Sequence, residues 1–517
     1  MASFTDILNR NAQEQLAPTL NPETDTAKRI ECFKEFLAGE HERLHELHRN
    51  GAGGIEVARN RAAIFDTLLC TLIRANLPEG IKHPGFCLVA IGGYGRAILN
   101  PGSDIDILFL LPVKSAKISG ALKEQIQLVL YALWDLGLKI GHASRSIAEC
   151  IEQARLDQEN KTALMDSRLL TGDSQLFDRF KARFTKECID RGQAAFFELR
   201  RADLKNRHDK YDQTVFLQEP SVKESCGGMR DYQTIEWVAR VKVGTNNLNE
   251  LVKLKLLTPD SLKELEEGYE FLHRVRNELH FYTGKGTDQL TLQLQGIVAP
   301  ALNYPQPNIL RSTEAFMRDY YRHTRHIFRH TTSLMEAFEI ELEQEKESGF
   351  RSFLTFRRQK QEKFDGFIAK DGRLFPAHEN IFNDDLTRIM RLFQHCQVRN
   401  LKLSPPLRRL IAAHWDDIDR SFRMLKANRR IFESILERKG EVAYILRLMH
   451  RIGVLGRWLP EFGALDCLVQ HEFFHRYTAD EHTLRCIDQL DDVITSTEST
   501  KQTFKRLYQQ IEDPYAM

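Results

Sequence analysis

Residues 90–112 read "AIGGYGRAILNPGSDIDILFLLP". A glycine turn closes one apolar run, and an Asp-Ile-Asp opens the next. The runs themselves, within "FCLVAIGG" and "DIDILFLLP", are short, dense in aliphatic residues and bounded by Gly and Pro, as strands buried on both faces should be. Strand side chains alternate, so Asp104 and Asp106 share one face while Ile105 and Ile107 take the other, toward a core. Working outward, "SGALKEQIQLVLYALWDLG" (119–137) has the spacing of a helix closed by Gly137. "LKIGHASRS" (138–146) then reads as a third strand. Residues 1 to about 75 have helical spacing broken by "GAGG" at 51–54, and beyond about residue 150 nearly everything is helical. Proline-containing breaks fall near 220, 299–307 and 405–406. The fold class expected is α+β, a small mixed sheet followed by predominantly α-helical domains.

The chain has 517 residues, more than one hydrophobic core keeps growing to fill, so several domains are expected. Lys+Arg number 73 against Asp+Glu 72, a net charge of +1, which gives no global field toward nucleic acid or an anionic membrane. Neither partner is expected. "MRDYYRHTRHIFRH" (317–330) does mix Arg and His with aromatics, but its Asp319 and the neutral whole favour a solvated or interdomain helix. The nine cysteines are odd in number, scattered and without a CxxC pair, the pattern of reduced thiols in the cytoplasm. No signal peptide is expected, and no run of eighteen apolar residues exists to span a membrane.

The opening stretch carries chemistry. Two carboxylates converging at the start of one strand are hard ligands, and Mg²⁺ takes one or two of these together with substrate phosphates. Metal so held can clamp the attacking and leaving oxygens of an in-line phosphoryl displacement. Gly92 and Gly93 let the backbone turn sharply and bring N–H groups to a triphosphate, with Arg96 and Ser103 as further phosphate contacts. The glycines lack the Lys-Ser/Thr ending of a P-loop, and GGYGR is not the dinucleotide fingerprint.

Gly-Gly followed by Asp-x-Asp on the next strand resembles the nucleotidyltransferases of DNA polymerase beta type. The longer "GGYGR...PGSDIDIL" is similar to the bifunctional uridylyltransferase/uridylyl-removing enzymes of the PII nitrogen-signalling system. "LQEPSVKESCGGMRDYQTIEWVAR" (217–240) resembles that family's EPN-K-GGLRD-Q segment. Further similar strings follow in family order at 271–290, 316–328, 451–462 and 470–485. The resemblance implies transfer of UMP from UTP to a tyrosine of a PII-like signal protein, with release of pyrophosphate and a need for Mg²⁺. Asp104 and Asp106 are then the catalytic metal ligands, and Gly92, Gly93, Arg96 and Ser103 bind nucleotide. Gly227, Gly228, Arg230 and Asp231 are candidate substrate contacts, against a structural reading of "GGMRD" as a turn into a helix. Two alternatives stay open: a related nucleotidyltransferase with another base or acceptor, and a non-catalytic nucleotide- or PII-binding sensor.

The sequence departs from the family in three places. Ala97-Ile98 stands where the family commonly has Gly-Glu. A third carboxylate is usual on a later strand, yet "LKIGHASRS" offers none, and Asp135, Asp157 and Asp166 are not distinguished by pattern. In "YTADEHTLR", His482 matches the first metal-ligating histidine of an HD phosphohydrolase, with His471 and His475 nearby, but the downstream His-Asp pair and the ACT domains are not in this sequence. An incomplete, inactive removing site is therefore expected. The one His-Asp pair, His208-Asp209, reads as surface. Arg276, His273 and His280 share a helix face, which reads as structural rather than as the lining of the nucleotide cleft. The expected domains are an N-terminal helical segment (1–75), a nucleotidyltransferase domain (76–205), an associated helical domain (206–345), a helical linker region (346–465) and the start of an HD-type domain (466–517).

Overall fold

The computed structural model describes residues 3–77, 84–304, 308–350, 361–468, 476–511 and 514–515. Two compact units divide the chain: Met1–Gln213, Pro220–Phe316 and His326–Phe328 form the first, and Thr214–Glu219, Met317–Arg325 and Arg329–Met517 the second.

The first unit begins with helices α1 (Phe4–Gln15), α2 (Thr26–Arg49) and α3 (Gly54–Ala75). Ser3 and Asp6 form a capping box on α1, and the Asp25 carboxylate caps α2 by accepting from Lys28 N–H at 2.8 Å. The sheet that follows has the order β3-β2-β1-β4, made of β1 (Cys87–Ala90), β2 (Ile105–Leu111), β3 (Ile140–Ser146) and β4 (Arg168–Thr171). β1 runs antiparallel to both β2 and β4, whereas β2 and β3 are parallel. A parallel pair needs a crossover, and helix α5 (Gly120–Asp135) supplies it, after the one-turn helix α4 (Gly92–Gly95) between β1 and β2.

The strands are continuous apolar runs because both faces of the sheet are covered. Leu88, Ile107 and Phe109 join a core with Val57, Ile64, Leu68 and Leu72 of α3. Their sequence neighbours Val89, Leu108 and Leu110 join Ile151, Leu164 and Phe180 on the other side. Five further helices complete the elements that matter to the site: α6 (Gln158–Met165), α7 (Gln193–Lys210), α8 (Met229–Val243), α9 (Pro259–Thr283) and α10 (Ile309–Phe350). α9 lies against α3, where the Glu270 carboxylate accepts from the N–H groups of Gly54 and Ile55 and so caps that helix.

The second unit is predominantly helical, as expected, but also holds strands. A second four-stranded sheet, in the order β5-β6-β7-β8, lies within the segment expected to be a helical linker. Its strands are Glu362–Phe364, Phe367–Lys370, Arg373–Pro376 and Lys402–Leu403. Asp365-Gly366 and Asp371-Gly372 join the first three, each residue at positive φ (48°, 80°, 51° and 69°), the geometry of two-residue hairpin turns. Helices α11 (Arg388–Arg399), α12 (Val442–Arg451) and α13 (Ala479–Thr495) share a core with this sheet through Phe393, Ile445 and Leu484. Within α10, Tyr320 and Tyr321 are fully buried, which excludes the solvated reading for the aromatic part of the Arg/His-rich stretch and leaves the interdomain one open.

Candidate active site

The carboxylate pair sits where β2 begins. Asp104 is exposed at the end of the preceding loop, and Asp106, on the strand's second position, is half-buried. One oxygen of Asp106 lies 3.7 Å from the point where a Cβ on Gly92 would stand, and Gly92 itself has φ +59°. The other meets Gly141, its partner across the β2–β3 ladder, so closely that any side chain there would collide with it. Glycine at both positions leaves a cradle around the carboxylate. Burial, and then the charge of Asp104, push the Asp106 carboxyl above its ordinary range, opposed by Lys223. Neither carboxylate has a hydrogen bond or ion pair among the described residues. Two adjacent, unpaired, all-oxygen donors with mutual repulsion are the donor set a hard divalent cation relieves, so the residues fit Mg²⁺.

What aims Asp104 is the loop before it, and that loop is held by α9. Asn100 accepts from Arg276 Nη1 at 2.7 Å, donates to Asn277 Oδ1 at 2.6 Å and lies 3.1 Å from His273 Nδ1. The Gly102 N–H donates to His280 Nδ1 at 3.0 Å, and Arg276 is anchored in turn by Asp288 at 2.6 Å. From α3, Arg61 donates to the carbonyls of Asn100 and Ser103. The histidines on this face therefore contact the loop before Asp104 directly. Burial first, and Arg276 second, push the His273 imidazole well below its usual range, which suits neutral acceptors in a buried network. Arg61 is pushed down to about 9 by burial and by Arg276, against the pull of Asp104. Arg61 and Lys223 thus bring positive charge near the two carboxylates. Sequence reasoning passed over both, although Lys223 lies inside the quoted 217–240 segment.

Other candidates have different work. Arg96 forms a buried ion pair with Asp166, which also accepts from Trp237 Nε1 at 3.1 Å. Its Nη1 is committed there, and a partner seventy residues away is invisible to local pattern. Ser103 is half-buried, with its N–H donating to Asn100 at 2.9 Å. Asp231 is fully buried: it accepts from Arg207 at 2.6 Å, His208 at 3.0 Å and the Gly227 N–H at 2.8 Å. His208 is accordingly buried, not surface, because Asp231 of α8 draws it inward from α7. Gly227 turns at φ +71°, and a Cβ at Gly228 would crowd the carbonyls of Val222, Lys223 and Ser225. Arg230 bonds Gln233 at 2.9 Å and reaches Glu224 at 3.6 Å. The "GGMRD" segment thus turns into α8 with Asp231 buried in ion pairs and Arg230 as its one partly exposed charge.

No third carboxylate comes from β3, since Gly141 occupies the place beside Asp106. Asp135 is exposed at the end of α5, Asp157 caps α6 through Glu159 and Asn160, and Asp166 is engaged by Arg96. In the second unit His482 is exposed on α13, while His471 and His475 lie outside the described residues.

Residues 195–335 match the family described as GlnD PII-uridylyltransferase, and residues 367–458 match the third domain of the GlnD uridylyltransferase. The bifunctional uridylyltransferase/uridylyl-removing enzyme of Caulobacter vibrioides (strain NA1000 / CB15N) is 33% identical over 488 residues, 92% of this chain and 51% of that protein. The chain is of the GlnD uridylyltransferase type. It spans about half the length of this curated relative. In GlnD terms, α9, which holds the loop before Asp104, lies inside the first matched segment, whereas the carboxylates precede it. The α+β fold of the first unit is the nucleotidyltransferase fold this family implies.

Proposed function

We propose that the first unit transfers UMP from UTP to a tyrosine hydroxyl of a PII-like signal protein and releases pyrophosphate. The observation that carries this reading is the unpaired Asp104–Asp106 pair set against the Gly92 turn and backed by the α9 clamp. Bound between these carboxylates, Mg²⁺ would neutralise phosphate charge and polarise the reacting phosphoryl group. The chain's own part is positioning. The glycine turn admits the triphosphate close to backbone, and Lys223 and Arg61 offset the charge that gathers on the departing pyrophosphate. The clamp around Asn100 fixes the loop so that Asp104 needs no reorganisation when nucleotide arrives.

Of the two activities in the relative's name, transfer is the one that the Asp104–Asp106 pair and the Gly92 turn support. Nine cysteines without a disulfide suit a reducing cytoplasm. Among the described residues no helix is long and apolar enough to cross a membrane.

The test uses α-labelled UTP, CTP, ATP and GTP with Mg²⁺ and a PII protein. Label should pass from UTP alone, and Asp104→Asn with Asp106→Asn should lower transfer by at least ~100-fold, the scale of losing a principal electrostatic contact. Label from ATP in preference would replace uridylyl by adenylyl transfer. Full activity in the double variant would remove the site.

A further inference from the structure

We propose that the second unit holds a first-row divalent cation, Zn²⁺ by preference, between His450, Asp466 and Asp480. His450 lies in the last turn of α12, Asp480 in the first turn of α13, and Asp466 in the turn between them. One ligand atom from each falls within 4.8 Å of the others.

Proximity of acidic groups alone would carry little. What singles out this cluster is two buried atoms left over. The Asp480 side chain has no exposure, and its Oδ1 is taken by the Thr478 hydroxyl, but its Oδ2 has no hydrogen bond among the described residues. His450 Nε2 is also buried and without one. The two atoms are 3.2 Å apart and face each other outside hydrogen-bond geometry. Apart from this mutual ion-pair contact neither atom has a hydrogen-bond partner among the described residues, and a cation bound to both would complete them. Two ligands at about 2.1 Å from Zn²⁺ stand roughly 3.0–3.4 Å apart for right-angle to tetrahedral geometry, so their spacing is that of a metal-bound pair.

Asp466 supplies the third donor and the route in. Its side chain is 35% exposed, and Arg325 of α10 holds it with Nη1 at 2.6 and 2.8 Å from its two oxygens. Each carboxylate oxygen keeps a second lone pair, so the arginine orients the ligand without blocking it. Two aspartates against one arginine give the cluster an excess of carboxylate, which a divalent ion offsets. Nitrogen plus oxygen donors favour Zn²⁺ over Mg²⁺ by the usual affinity order, in contrast to the all-oxygen pair at Asp104 and Asp106. Three protein ligands leave room for water. His482, exposed on α13, is not part of this cluster.

The full chain carrying D104N and D106N isolates this site from the other carboxylate pair. After chelator stripping, that protein should bind one Zn²⁺, and Co²⁺ in its place should give a visible d–d spectrum. Adding D480N, or separately H450Q, should weaken Zn²⁺ binding at least tenfold and abolish the Co²⁺ spectrum, with far-UV circular dichroism unchanged. If D480N fails to fold, H450Q gives the same reading. No Zn²⁺ uptake by the stripped protein overturns the proposal. So does binding of equal strength in H450Q or D480N, which would assign the metal to surface histidines.

Discussion

Ala97 adopts φ +58°, the left-handed region that costs a residue with a Cβ about 1 kcal/mol or more. The family's glycine at this place suits that conformation, so at position 97 the departure is a conformational cost. Ala97→Gly should raise stability by about 0.5 kcal/mol, the strain relieved less the entropy glycine adds to the unfolded chain, and a urea midpoint reads it. Gly141 is the sharper case. Its missing Cβ makes room for an oxygen of Asp106. Gly141→Ala should therefore displace that carboxylate and lower the transfer rate by roughly 100-fold, the effect of a small misplacement at a reacting centre, with the fold retained. Unchanged turnover in Gly141→Ala would mean Asp106 is not a ligand. Neither residue's role was legible beforehand, because Gly141 matters through its partner across the ladder, and Ala97 through a dihedral angle that composition does not reveal.

At the scale of elements, α8 holds the half-buried Glu236 near Arg96 and Asp166. Burial first, with Asp166 adding and Arg96 opposing, pushes its carboxyl up to about 7. A carboxyl raised in the folded state is protonated there while the unfolded chain is already ionised. Stability from this group is thus full below the ordinary carboxyl range, near pH 4.5, and is lost as pH rises to about 7. Glu236→Gln should flatten that slope and stabilise the protein at pH 8 by about 2–3 kcal/mol, as denaturant unfolding at pH 5 and pH 8 would show. The α9 clamp yields a second expectation. Asn100→Ala unties the loop from Arg276, Asn277 and His273, and should cost about 1–3 kcal/mol while lowering kcat more than it raises KM for UTP.

Elements differed in how plainly the sequence announced them. β1 and β2 stood out because burial on both faces makes an unbroken apolar run, and Gly137 marked the end of α5. β4, "RLLT", is only four residues between helices and offers no alternation to read. The β5–β7 hairpins did carry a signal, two Asp-Gly pairs, one between Phe364 and Phe367 and one between Lys370 and Arg373, which helical spacing around them obscured. Pairs such as Arg96–Asp166 and His208–Asp231 join distant segments, and no local period encodes them.

For the whole molecule, the near-neutral charge puts recognition into local geometry, and in the first unit that geometry is concentrated where β2 starts. The GlnD-type segments supply the clamp, and the strand-turn-strand before them supplies the carboxylates. The most direct test incubates the purified chain with Mg²⁺, UTP and a PII protein of the same source, then weighs intact PII by mass spectrometry. The account predicts the mass of one UMP added to a PII tyrosine, and no addition when Asp104 and Asp106 are both Asn. Unmodified PII after incubation with the unaltered chain, when the same PII accepts UMP from another GlnD enzyme, would contradict it.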